Sequence, residues 1–197
     1  MNQVRTVLAF ALVLMLSSLA MSAPESHQLG PYVVNFDLNT DQQYKVAELE
    51  PNMAESATGY ALQIATDNTT GAFVIITEYK ELLDATLAPQ KQVSSLSATI
   101  AGYNVSSVDD IVIDGKEGYI LSAVPASYNT MVPNVTRYEA VYWLDSEKCD
   151  IGPVWVGKTN VAVISTYPED VTMNLINSLK VAKGAATAAD GQVLPPN

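Results

Sequence analysis

Ile111-Val112-Ile113-Asp114-Gly115-Lys116-Glu117-Gly118-Tyr119-Ile120-Leu121-Ser122-Ala123-Val124 is the stretch on which the fold turns. Two β-prone apolar runs flank an Asp-Gly pair, and glycine accepts the positive φ of a tight turn. The segment therefore predicts an antiparallel hairpin closed at Asp114-Gly115. On its amino-terminal side, residues 81–101 carry Val93, Leu96 and Ile100 at i, i+3 and i+7, with Gly102 placed as a C-cap. That spacing predicts a helix with this stripe turned to the sheet. Its serines and threonine weaken it in isolation, so it has to pack on the sheet to persist. Further upstream, Tyr60, Leu62 and Ile64 alternate with less apolar residues, Asp67 to Gly71 reads as a turn, and Phe73 to Tyr79 reads as a central strand. Residues 41–57 are acidic and broken by Pro51, whereas Val34, Phe36 and Leu38 alternate as an opening strand.

On the carboxyl side, Tyr138, Ala140, Tyr142 and Leu144 alternate, and Val154–Val156 and Asn160–Ser165 read as a pair turning near Gly157-Lys158. A last helix is announced by capping-box spacing of Thr166 and Glu169, by Pro168 in its first turn, and by the stripe Val171, Leu175, Leu179, with Gly184 after its end. The sum is a single α+β domain over 23–183: an antiparallel sheet of about six to seven strands covered by two helices. Residues 184–197, poor in large apolar side chains, are expected to be a disordered tail.

Three segments resemble PsbP-like domains: the hairpin Asp110–Pro125, the close Asn160–Val181 with its Ser178-Leu179-Lys180-Val181 ending, and the opening strand Gly30–Leu38. The order covers most of the mature chain, and the motifs are short. The resemblance implies a PsbP-like sandwich and a non-catalytic role, docking onto a larger assembly. It carries over no docking residue. In overall texture the chain also resembles small secreted proteins of methanogenic archaea.

Residues 1–22 have the three parts of a secretory signal. Arg5 supplies charge, Val7 to Leu16 is unbroken apolar sequence, and Ala20 and Ser22 suit positions −3 and −1, so cleavage is expected before Ala23. The apolar run is shorter than the roughly 20 residues a spanning helix needs. Cleavage leaves about 175 residues, enough for one domain with a core of its own. The whole chain carries 10 basic and 21 acidic residues, a net charge of −11, and becomes one unit more negative once Arg5 leaves. That charge disfavours nucleic acid and anionic membranes as partners.

Cys149 is the single cysteine, so the fold is held without an internal disulfide. Its polar neighbours suggest exposure and, with it, a Cys149–Cys149 intermolecular disulfide. Asn68, Asn104 and Asn134 open Asn-x-Ser/Thr sequons at points read as loops, which makes them candidate glycosylation sites. His27, the single histidine, falls in a segment expected to be mobile, far from anything that would orient it in a catalytic triad. One histidine and one cysteine do not make a zinc site. Asp109, Asp110 and Asp114 are the nearest approach to a calcium cluster, without EF-hand spacing, and Asp114 reads first as a turn residue. No glycine-rich phosphate loop occurs. No catalytic, cofactor-binding or metal-binding residue is assigned, and no cofactor is expected.

Tyr128, Tyr138, Tyr142, Trp143 and Trp155 gather in the second half, with Tyr138 and Tyr142 on one strand face and Trp143 on the other. Core packing and a surface for sugars or proteins are both open to them. Three functions follow in order: an exported interaction module with a protein or glycan partner at the cell envelope, a structural subunit of a surface layer, and a carboxylate-based hydrolase. The leader gives the first test. Amino-terminal sequencing of exported protein is expected to read Ala23-Pro24-Glu25, and an intact Met1 would refute cleavage.

Overall fold

The computed structural model describes residues 24–127, 134–150 and 152–184. The leader, Tyr128 and the chain from Ala185 onward lie outside them. In chain order the elements are β1 (Glu25–Leu29), β2 (Tyr32–Phe36), β3 (Lys45–Glu48), β4 (Asn52–Met53), β5 (Ala57–Ala65), β6 (Gly71–Asp84), α1 (Leu87–Ile100), β7 (Tyr103–Ile113), β8 (Lys116–Pro125), β9 (Arg137–Trp143), β10 (Glu147–Lys148), β11 (Trp155–Ser165), α2 (Glu169–Ser178) and β12 (Lys180–Lys183). The class is α+β and the pairing antiparallel, with more strands than the sequence suggested. A nine-stranded sheet runs β3-β5-β6-β11-β9-β8-β7, with β4 and β10 as short additions, and a three-stranded sheet runs β1-β2-β12.

The Asp-Gly hairpin forms as expected. Ile113 pairs with Lys116, and Asp114 and Gly115 both have positive φ, 52° and 73°, as a type I′ turn demands. The Asp114 carboxylate then reaches β12, accepting the Val181 N–H at 3.1 Å and meeting Lys180 Nζ at 3.0 Å. One residue thus shapes a turn and ties two sheets together.

Alternation along the strands divides the large sheet into two unlike faces. The inner face, with Leu62, Ile64, Val74, Ile76, Tyr142, Val161 and Val163, is sealed by Tyr32, Val34 and Phe36 of β2, Val181 of β12, and Leu175, Ile176 and Leu179 around α2. The two helices lie on opposite faces, because α1 packs on the outer one through Ala98, Tyr103, Leu121 and Ala123.

Five local expectations need correction. First, β6 runs to Asp84 and α1 starts only at Leu87, because Leu83 and Asp84 still pair with Gly157 and Val156. Second, Val93, Leu96 and Ile100 face solvent, 64%, 62% and 79% exposed. The helix packs through Gln90, Ser94 and Ala98 at i, i+4 and i+8, whose small or bonded side chains permit a close approach. Third, Val154–Ser165 is no hairpin. β11 is one strand, with a register shift between Gly157 and Thr159. The Lys158 and Thr159 N–H groups there donate to Asp145 Oδ1 at 3.0 and 2.9 Å, and a Cβ on Gly157 would strike the Trp143 ring at 2.7 Å.

Fourth, Pro168 is the N-cap of α2, and the hydroxyl of Thr166 does not cap. It accepts the Gly71 N–H at 3.0 Å and donates to the Thr69 carbonyl at 2.8 Å. Fifth, the helix ends at Ser178, and the chain continues as β12, after which the Gly184 N–H donates to the Pro31 carbonyl at 2.7 Å. Leu175→Ala is expected to lower stability by about 2–5 kcal/mol, whereas Leu96→Ala should stay within about 0.5 kcal/mol of the parent. Chemical denaturation of both variants checks that the α2 stripe is packed and that the apolar stripe of α1 is not.

Candidate functional site

The residues singled out in sequence do not converge. His27 lies on β1, stacked on Phe36 at 5.8 Å and bonded to Glu25 at 2.8 Å, so it belongs to an ordered strand and not to a mobile end. Asn68 and Asn134 are exposed outside the regular elements, while Asn104 is exposed on the edge strand β7, not in a loop. Cys149 is only half-exposed, its N–H bonded to the Val154 carbonyl at 2.9 Å. Asp110 pairs with Lys91 and Asp114 with Lys180, on different elements. Among the described residues no group of three acidic, histidine or cysteine side chains is placed to hold a metal ion. No helix among them is long and apolar enough to cross a membrane.

Of the aromatics, Tyr142 is fully buried in the inner core, Tyr138 shares its face, and Trp143 points to the outer face, 5% exposed. Trp143 stacks on Tyr79 at 5.9 Å and donates its indole N–H to Gln90 Oε1 at 2.9 Å beneath α1. Trp155, 36% exposed, borders a cleft of about 430 Å³ with Thr86, Lys116 and Glu117.

The feature with functional character is the outer face itself. Among the described residues, α1 covers β8 and the start of β7, and the rest of that face is open. Phe73, Ile75, Thr77 and Tyr79 of β6, with Asn160, Ala162 and Ile164 of β11, are half-buried there, while their neighbours Ala72, Val74, Ile76, Val161 and Val163 are sealed on the inner side. An open groove of about 380 Å³ runs between helix and strip, lined by Pro89, Val93, Ser94, Tyr119, Val141, Trp143, Asn160 and Ala162. Val93, Leu96 and Ile100 rise beside it as a solvent-facing ridge.

Polar groups anchor the helix over its part of the sheet. The Ser94 hydroxyl donates to Glu139 Oε1 at 2.9 Å and lies 2.8 Å from the Tyr119 hydroxyl, and Arg137 meets Glu139 Oε2 at 3.1 Å. Asp84, at the groove's end, has its carboxyl held low by the Thr86 hydroxyl and N–H. These carboxylates brace or cap. Sequence reasoning missed the ridge because it read the right residues on the wrong side. The signal that would have corrected it is charge: Lys91 is the single ionised residue of α1, and it is turned to Asp110 on β7.

No family model matches the chain, and no curated protein matches it in sequence.

Burial pushes the hydroxyl pKa values of Tyr32, Tyr119, Tyr142 and Tyr167 above the ordinary 10.0. A folded-state value that is raised stabilises fully below the unfolded value and loses that contribution as pH climbs past it. Stability should therefore fall above about pH 10. Tyrosinate absorbance and loss of near-ultraviolet circular dichroism should rise in one step, and independent titration of these tyrosines in a folded protein would contradict their burial.

Proposed function

We propose that the chain is an exported, non-catalytic interaction module of the cell envelope, built as a PsbP-like sandwich, which docks a protein partner through the face carrying α1. The observation behind this reading is the solvent-facing ridge Val93, Leu96 and Ile100 beside a half-open strip of sheet. Soluble proteins rarely leave large apolar side chains contiguous at the surface without an interaction to use them. A docking surface is also depleted of charge at its centre, and α1 has that composition.

A protein suits the face better than a glycan. Sugar recognition uses open aromatic rings, and here Trp143 is packed beneath the helix while the exposed ridge is aliphatic. Export rests on the leader, a feature of the sequence.

The reading is tested by capture from the native envelope with tagged parent and Leu96→Glu chains. The parent is expected to retain a discrete partner and Leu96→Glu to lose it, with unchanged thermal unfolding. Equal capture by both chains would refute docking through α1.

A further inference from the structure

We propose that the occupant of this face is a second copy of the same chain, with the α1 ridge of each copy seated on the open β6–β11 strip of the other. The inference rests on the docking reading above and names its partner.

Three observations carry it. The face has a ridge and a receiving surface side by side: Leu96 and Ile100 project, while Phe73, Ile75 and Ile164 lie in a half-buried strip across the groove. A two-fold axis through the groove brings each ridge over the other copy's strip, so one contact satisfies both surfaces. This is the self-complementarity that an isologous interface requires.

The second observation is electrostatic. The chain has a net charge of −11, so most ways of bringing two copies together oppose carboxylates. The outward side of α1 carries no ionised residue, and the facing rows of β6 and β11 contribute Phe, Ile, Thr, Tyr, Asn and Ala up to Tyr79. Two carboxylates line the groove: Glu139 is engaged by Ser94 and Arg137, and Asp84, at its end, accepts the Thr86 N–H. This face lets two acidic copies meet with little like-charge opposition.

The third is extent. A stable interface takes on the order of 800 Å² from each partner, which three ridge residues alone do not provide. Seating each ridge on the other copy's strip adds the outer rows of β6 and β11 to the contact. The apolar burial would also complete the outer side of β6 and β11, whose inner side is already sealed.

Sedimentation equilibrium of the exported chain under reductant, which removes any Cys149 disulfide, tests the inference. The parent is expected to show a concentration-dependent dimer, and Leu96→Glu should weaken it by about tenfold or more, the loss typical of truncating or charging a central anchor. At concentrations low enough for the parent to be monomeric, thermal unfolding of Leu96→Glu should match it, since the residue faces solvent within one copy. A second arm works in a Cys149→Ser background. A copy carrying Leu96→Cys, mixed with one carrying Ile75→Cys on the open strip, should form a mixed disulfide faster than Leu96→Cys pairs with itself.

A parent that stays monomeric, or a dimer indifferent to Leu96→Glu, overturns the inference. If the parent is monomeric and envelope capture is still lost with Leu96→Glu, self-association falls and docking to another protein stands. If neither changes, both fall.

Discussion

An antiparallel sheet has two faces, and the alternation of side chains forces each strand to supply both. In this protein the central pair β6 and β11 sends Val74, Ile76, Val161 and Val163 inward, where they are closed off almost completely. Its other residues are sent outward by the same geometry, whatever they are. Sealing the inner face needs a lid, and the lid is assembled from the two ends of the domain: β1 and β2 from the start, α2 and β12 from the finish. The inner core therefore depends on long-range closure. The link from Asp114 to β12 and the bonds of Ser178 to Asp37 are the polar fasteners that hold the lid in register.

Among the described residues, one helix covers the outer face. α1 lies close to β8 because Ser94 and Ala98 are small, and it is held by the Ser94–Tyr119–Glu139–Arg137 network and by Gln90 on Trp143. Close packing through small residues pushes the larger ones out. Val93, Leu96 and Ile100 are exposed as a consequence, and the strip beyond the helix stays half-open. The exposed ridge and the half-open strip are the surface on which the proposed docking rests.

Local chemistry was legible wherever a residue type admits few conformations. Asp114-Gly115 has the positive φ angles that identify the tight hairpin, and the Asp67–Gly71 turn joins the two strands read on either side of it. Gly157-Lys158 misled, because a turn and a bulge use the same residues. What distinguishes them is Asp145, thirteen positions away from Lys158, whose carboxylate collects the two free N–H groups. Thr166 and Glu169 misled in a similar way: the hydroxyl that could cap a helix found β6 and the Asp67 loop closer.

The amino-acid order by itself determined the alternating strands, the Asp-Gly turn, the two helical stretches and the acidic charge, because each is set by neighbours within a few residues. Tertiary structure decided which side of α1 is buried, that Lys180–Lys183 is a strand, and that β1 pairs with β2 to place His27 on Phe36. These outcomes depend on surfaces brought together from distant parts of the chain. A helical stripe of three apolar residues states only that one side is apolar. Whether that side meets the sheet or the solvent is settled by the competing side, and here small residues and a hydrogen-bonded serine fitted the sheet more closely.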